Sequence, residues 1–159
     1  MKAIKKKTDG STGYVVAGIL ALIWMCIIFA FSAQDKQESS VVSEGVSYEL
    51  VSSTGFFFHL HLDEEQIKEV ARVIESTVRK AAHMTEFLLL AVWAGMLDFR
   101  GKFLPQRLLF GLMTALVDET IQLYTGRTSL VTDVWIDYIG FAVGTVVVWF
   151  IARWKERGG

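Results

Sequence analysis

Six polar residues capable of binding or proton-transfer chemistry lie between two apolar runs in the C-terminal half of the sequence, 108–117 and 139–149. They are Asp118, Glu119, Gln122, Arg127, Asp133 and Asp137. Ionisable side chains beside hydrocarbon-like sequence are costly unless they have partners, so they are candidates for a functional site. Carboxylates in such a place can bind a cation or move a proton, and an arginine can hold a phosphate or a carboxylate.

A second polar group lies upstream, where Lys80, His83 and Glu86 follow one another at spacings of three and share one helix face. Spacings of three and four recur in the C-terminal group, so each helix presents a polar stripe. We expect His83 to act as a general acid or base tuned by Glu86 or Glu119, and Lys80 and Arg127 to contact phosphate or carboxylate. The candidate site contains these nine residues: Lys80, His83, Glu86, Asp118, Glu119, Gln122, Arg127, Asp133 and Asp137.

The elements that must position these residues are predicted to be membrane-spanning helices. Of the 159 residues 52% are apolar, and no charged residue occurs between Gly10 and Gln34. Such runs are typical of membrane proteins, since about 20 helical residues cross the hydrocarbon core. The sequence predicts an all-α, polytopic membrane helix bundle with four spans at about 14–32, 81–99, 106–124 and 130–153. Residues 1–13 are predicted to be a flexible, basic cytoplasmic tail, and 14–154 a single membrane domain.

An amphipathic helical segment is predicted outside the membrane, between the first and second spans. Val42, Val46 and Leu50 fall on one face of a helix over 39–53. Asp63 is a candidate N-cap with Gln66 three residues later, as in a capping box. An apolar stripe at helical spacing follows it (Ile67, Val70, Ile74, Val78 and Ala81). No glycine or proline marks where this helix meets the span at 81, so the sequence leaves that boundary open.

The third and fourth spans carry recognisable boundary signals. Pro105 suits the first turn of the third helix, and Gly126 suits its C-terminal cap. Thr128 or Ser129 can cap the fourth helix. The strictly apolar part of the third span is only ten residues long, so the carboxylates that follow it must lie at membrane depth or near the far interface.

The distribution of basic residues predicts the topology. The N-terminal lysines, the 100–107 loop and the C-terminal tail are all basic, and short basic segments stay in the cytoplasm. Four spans place these three segments on the same side, so both termini are predicted to be cytoplasmic. The 33–79 segment and the 125–129 loop are then outside. Seven of the candidate residues consequently fall in the outer leaflet: His83, Glu86, Asp118, Glu119, Gln122, Asp133 and Asp137.

The polar stripes also have a plainer interpretation, in which they pair only with one another and orient the helices. No cofactor and no metal are predicted, since one histidine among carboxylates lacks the spacing of a metal site. The single Cys26 excludes an intramolecular disulfide. No basic stripe or motif indicates nucleic-acid binding. Gly140 and Gly144 form a GxxxG motif, which fits either close helix packing within the chain or a homo-oligomer contact.

Together these motifs resemble the VanZ-like membrane protein family over about 14 to 150. The matching parts are 31–34 after the first span, 80–87 at the start of the second, and the D-E-x-x-Q, G-R, D-V and G-x-x-x-G motifs within 118–144. Two positions depart from the family: Phe87 stands where Tyr is typical, and Asp137 where Asn is typical. The resemblance implies a bacterial cytoplasmic-membrane protein of four or five helices. The family's namesake is associated with low-level resistance to teicoplanin, which acts on cell-wall precursors outside the membrane.

Three functions are compatible with these features. The first is an envelope protein whose polar site binds, or also modifies, a lipid or cell-wall headgroup at the outer leaflet and contributes to lipoglycopeptide resistance. The second is a non-catalytic membrane scaffold with a structural polar cluster. The third is a small proton-coupled transporter. The confinement of the polar residues to one end of the spans argues against it. Whether the protein is an enzyme is left open, and the lipid bilayer is its expected partner.

Overall fold

The computed structural model describes residues 2–98, 101–127 and 130–157, with side chains from residue 12 onward. These residues form five helices and contain no strand. The helices are α1 (Lys2–Ser32), α2 (Lys36–Phe57), α3 (Glu64–Leu97), α4 (Leu104–Tyr124) and α5 (Val131–Arg157). The all-α prediction is therefore confirmed.

The N-terminal helix differs from its prediction at one end. It terminates at Ser32, where the first span was predicted to end, but it begins at Lys2, inside the segment expected to be a flexible tail. No proline interrupts the sequence there, and a glycine such as Gly10 or Gly13 weakens a helix by only about 1 kcal/mol. The helix of the apolar run therefore continues back through the basic residues.

Two of the four predicted spans are long and apolar enough to cross a membrane on their own composition. They are the 12–32 part of α1 and the whole of α5. The other two predicted spans do not meet this criterion, which corrects the expectation of four membrane-crossing helices of comparable character. The start of the second is interrupted by Lys80, His83 and Glu86 in α3, and α4 carries Arg107, Asp118 and Glu119 among its 21 residues.

The segment after α1 is helical, as predicted, but its apolar stripe is not packed against the bundle. α2 begins after Asp35, whose side chain accepts hydrogen bonds from two backbone N–H groups of the first turn. Val42, Val46 and Leu50 remain 59%, 53% and 51% exposed. The face that packs against α3 is instead made of small side chains (Ser43, Ser47, Val51 and Gly55). Small residues let two helices approach closely, which leaves the larger apolar ones on the outside.

α3 is one uninterrupted helix of 34 residues. Its N-terminus has the predicted capping box, in which Asp63 accepts from the Gln66 N–H and the Gln66 side chain accepts from the Asp63 N–H. The sequence left open where the amphipathic helix ends and the second span begins. In the structure both belong to the same helix, with no break at 81. At about 1.5 Å per residue the helix is roughly 51 Å long, which exceeds a hydrocarbon core of about 30 Å. Phe99, the last residue of the predicted second span, lies outside the described ranges.

α3 is the central helix of the bundle. It packs against α5, α2 and α1, and α4 packs against α5 and α1. The hydrophobic core lies where these helices meet (Ile28, Phe87, Leu90, Ala91, Ala94, Ala115 and Phe141). Gly140 and Gly144 face α3 so closely that an added methyl group would collide with the carbonyl oxygens of Met84 and Leu88. The GxxxG motif thus serves close packing between α3 and α5 within the chain.

The remaining boundary predictions fall close to the observed ends. Pro105 lies in the first turn of α4. Gly126 adopts a φ of 75°, directly after the C-cap Thr125, a conformation that suits glycine at this position. The predicted caps Thr128 and Ser129 lie outside the described residues. α5 carries Asp133 in its first turn and basic residues in its last, which complements the helix dipole.

Candidate functional site

Seven of the nine candidate residues line one cavity of about 50 Å³, a volume that suits a small polar group or a few waters. They are Lys80, His83, Glu119, Gln122, Arg127, Asp133 and Asp137. Lys36, Arg79 and Ile136 complete the lining. Glu86 lines an adjoining groove. Asp118 is buried behind the cavity, where it accepts a hydrogen bond from Gln122. Residues from four helices (α2, α3, α4 and α5) and one loop are therefore brought together.

The helix ends determine this convergence. The start of α5, the end of α4 and the middle of α3 meet at one end of the bundle, beside the end of α1. Trp24 on α1 donates an indole N–H to the Glu86 carbonyl at 2.9 Å, which fixes α1 against α3. The Thr125 hydroxyl lies 3.3 Å from the Ser32 carbonyl oxygen, so the loop after α4 is held against the end of α1.

The Asp118 carboxylate is held by two side chains. Ser32 donates to one oxygen at 2.6 Å, and Gln122 donates to the other at 2.8 Å. Asp118 is fully buried, so these bonds replace the water that it loses. Sequence reasoning did not place Ser32 in the site. Its signal was its position in the 31–34 motif directly after the first span.

A second buried carboxylate lies beside the first but has an unused oxygen. Asp137 is 2% exposed, and within the described residues its Oδ2 atom makes no hydrogen bond. Asp118, Glu119 and Asp137 each place one carboxylate oxygen within 4.8 Å of the others. Such a set of oxygens is one that a hard divalent cation can use, and the sequence had left cation binding by these carboxylates open.

His83 lies between a carboxylate and a guanidinium. Its Nδ1 atom is 3.4 Å from Glu86 Oε2, and its Nε2 atom is 3.4 Å from Arg127 Nη2. The guanidinium can only donate, so Nε2 accepts in this contact and the ring proton is on Nδ1, near the carboxylate but not hydrogen-bonded to it. A carboxylate that orients an imidazole is the arrangement used in general acid–base catalysis. The predicted pairing of His83 with Glu86 therefore has a geometric basis.

The two cations that were predicted to contact a ligand differ in their surroundings. Lys80 is half-exposed and forms an ion pair with Asp133 at 2.9 Å. Arg127 is 9% exposed, and no carboxylate of the described residues forms an ion pair with it. Burial lowers the pKa of the Arg127 guanidinium, and the nearby Arg79 acts in the same direction. Arg127 nevertheless stays charged, since an arginine side chain is not deprotonated in proteins.

Arg79 and Lys36 were not predicted as site residues, although they line the cavity. Arg79 directly precedes Lys80 and is four residues before His83, which is the local signal that could have identified it. Lys36 opens α2, and nothing in its sequence context relates it to residues on α4 and α5.

Phe87, one of the two departures from the family pattern, is fully buried in the hydrophobic core. Because Phe lacks the hydroxyl group of Tyr, this position offers no hydrogen-bonding group to the site. The other departure, Asp137, contributes one of the three clustered carboxylates.

Comparison with known proteins gives one match. The model of the VanZ/LLP1 family matches residues 17–152, a range that contains all nine candidate residues. No curated protein and no solved structure matches the chain.

Proposed function

The chain belongs to the VanZ/LLP1 family, and from this membership and the geometry of the polar site we propose that it acts on the bacterial cell envelope from the outer leaflet of the cytoplasmic membrane. The family and the two apolar helices make it a membrane protein. In the proposed topology α1, the second half of α3, α4 and α5 cross the bilayer, and both termini are cytoplasmic.

Two observations support four spans. The segments at both termini and the 100–107 loop are basic, and short basic segments favour the cytoplasmic side. If all three are cytoplasmic, the chain crosses the membrane an even number of times between one segment and the next. In addition, the polar residues of α3, α4 and α5 all meet at one end of the bundle. Charged residues that interrupt a span are tolerated where they face the protein interior, and Asp118 and Glu119 are both buried.

The proposed activity is the binding, with or without modification, of a polar lipid or cell-wall headgroup, as a contribution to teicoplanin resistance. His83, oriented by Glu86, would be the general acid or base. Arg127 and Lys80 would contact the anionic part of the headgroup. The observation that carries this proposal is that Asp137 lines the cavity with an oxygen that accepts no hydrogen bond from any described residue, while Arg127, also in the lining, forms no ion pair with a described carboxylate.

A scaffold function is the second candidate, and the Asp118 network favours it. Ser32 and Gln122 satisfy both oxygens of Asp118, and Ser32 joins α1 to α4 in doing so. Such a network can hold helices together without any ligand. A transporter has less support, since the core beyond the site is filled by large apolar side chains such as Phe87, Leu90 and Phe141.

The test compares resistance with stability for two site variants. In a teicoplanin-susceptible bacterium that expresses the chain, His83→Ala and Glu119→Gln should reduce resistance to the level of cells without it. Membrane accumulation and the thermal unfolding midpoint in detergent should remain near those of the unsubstituted protein. The matched controls are His61→Ala and Glu49→Gln, which change exposed residues away from the site and should retain resistance.

Full resistance in both site variants would refute the proposed function. Resistance that falls only in step with the unfolding midpoint would favour the scaffold.

A further inference from the structure

The polar cavity has an apolar neighbour with which it shares a wall. This second cavity, the α2–α3 groove, has a volume of about 200 Å³. Phe31, Val42, Val46, Val78 and Ala82 supply its apolar lining. Arg79, His83 and Arg127 line both cavities, so a ligand can occupy the groove with one part and reach the polar site with another.

The position of the groove relates it to the bilayer. Its sides are the end of α1, the N-terminal half of α2 and the part of α3 where the proposed second span begins. Val42 and Val46 belong to the exposed apolar stripe of α2, so the groove is continuous with a surface that favours hydrocarbon. In the proposed topology this level corresponds to the headgroups and the upper part of the lipid chains.

The shared wall presents two guanidinium groups to the groove. Two arginines, Arg79 and Arg127, face one carboxylate there, Glu86, which lies 3.4 Å from His83. Arg79 has one ion pair among the described residues, to Glu75 at 3.7 Å. Arg127 is more than nine-tenths buried and has no such partner in the described part of the chain. Asp118, Glu119 and Glu86 are near enough to act on the Arg127 charge, but none forms an ion pair with it. A buried guanidinium that forms no ion pair can still bind an anion, and phosphate matches its planar fork.

We propose that the site takes a membrane lipid that carries a phosphate, with the phosphate on Arg127 and Arg79 and one hydrocarbon chain along the α2–α3 groove. This inference rests on the proposed function and specifies its ligand class. The apolar lining favours a hydrocarbon chain, and the two arginines favour an anionic group. A neutral sugar or a soluble peptide supplies only one of these features.

The experiment measures competition for a fluorescent phosphatidic acid bound to the purified protein in detergent micelles. Unlabelled phosphatidic acid should compete about tenfold or more better than diacylglycerol, which lacks the phosphate, because charge-assisted hydrogen bonds contribute about 1.5–3 kcal/mol. Inorganic phosphate, which lacks the chain, should compete weakly. Undecaprenyl phosphate, whose chain is an isoprenoid, is compared with phosphatidic acid, whose chains are fatty acyl groups. The stronger competitor shows which kind of chain the groove prefers.

Two pairs of variants locate the two parts of the ligand. Arg127→Gln should weaken phosphatidic acid binding about tenfold, whereas Arg72→Gln, at an exposed position on α3, should not change it. Val46→Trp fills the groove and should weaken binding by a similar factor. Its control is Val41→Trp, on the same helix but outside the groove lining. Arg79→Gln and Val42→Trp are second variants should either of the first pair fold poorly.

The outcomes separate this inference from the proposed function. Equal competition by diacylglycerol and phosphatidic acid would overturn the phosphate assignment. Equal binding by Val46→Trp and Val41→Trp would overturn the groove assignment. Neither result affects the resistance test on His83, which measures the proposed function independently. Conversely, full resistance in His83→Ala with intact, Arg127-dependent lipid binding would refute the proposed function while the lipid site stands.

Discussion

Asp118 and Asp137 are neighbours in the interior, yet their carboxylates are satisfied differently. Asp118 accepts from Ser32 and Gln122, whereas Oδ2 of Asp137 accepts no hydrogen bond from any described residue. A carboxylate that is fully hydrogen-bonded orients its neighbours, and one that is buried with an unused oxygen lowers stability unless a ligand or ion meets it. At the scale of single residues we therefore expect a structural role for Asp118 and a binding role for Asp137.

Asparagine at each position should separate these roles. Asp118→Asn replaces one acceptor with an NH₂ group that faces a donor, so it should lower the free energy of unfolding by about 1–3 kcal/mol. Asp137→Asn removes a buried carboxyl group with an unsatisfied oxygen and should leave stability unchanged or raise it. Thermal unfolding in detergent measures both effects. An equal loss of stability in the two variants would show that Asp137 is held as firmly as Asp118.

Residue types and spacing predicted the nine polar residues, but not all of their partners. The stripes on each helix could be found because their spacing is local. The Ser32–Asp118 hydrogen bond joins residues 86 positions apart, and no local pattern contains that information. Lys36 escaped prediction for the same reason, since the turn between α1 and α2 brings it to the cavity.

At the scale of elements, the contact between α3 and α5 depends on glycine. Gly140→Ala should reduce the free energy of unfolding by about 1–3 kcal/mol, because the new methyl group meets the Met84 carbonyl, a backbone group that cannot rotate away. Gly45→Ala in α2 is the control. Its methyl group would meet no atom within 4 Å, and alanine favours a helix by up to about 1 kcal/mol over glycine. If both variants unfold at the same temperature, the α3–α5 contact is not tightly packed.

Helix boundaries were largely predictable, whereas the direction of each helix face was not. Asp63 with Gln66, Pro105 and Gly126 act through neighbouring backbone groups, so their effects could be inferred from sequence. The helical spacing of apolar residues identified the stripe that includes Val46. The spacing does not show whether that stripe faces a neighbouring helix or the lipid. Beside a bilayer both are apolar, and close packing selects the smaller side chains of α2 for the contact with α3.

At the scale of the whole molecule, the number of membrane crossings decides where the site lies. Composition supports α1 and α5 as spans, whereas α3 and α4 are less apolar, in part because they carry polar residues of the site such as His83 and Glu119. If only α1 and α5 crossed the bilayer, the chain from 33 to 130 would lie entirely on one side. The proposed site in the outer leaflet requires instead that the 100–107 loop be cytoplasmic.

Cysteine accessibility at Lys102 tests this central claim most directly. In a Cys26→Ala background, which removes the native cysteine, Lys102→Cys and Glu65→Cys place single thiols at exposed positions on opposite sides of the proposed bilayer. A membrane-impermeant maleimide should label Glu65→Cys in intact cells and Lys102→Cys only after the membrane is permeabilised. Labelling of Lys102→Cys in intact cells to the same extent as Glu65→Cys would contradict four spans and the outer-leaflet site built on them.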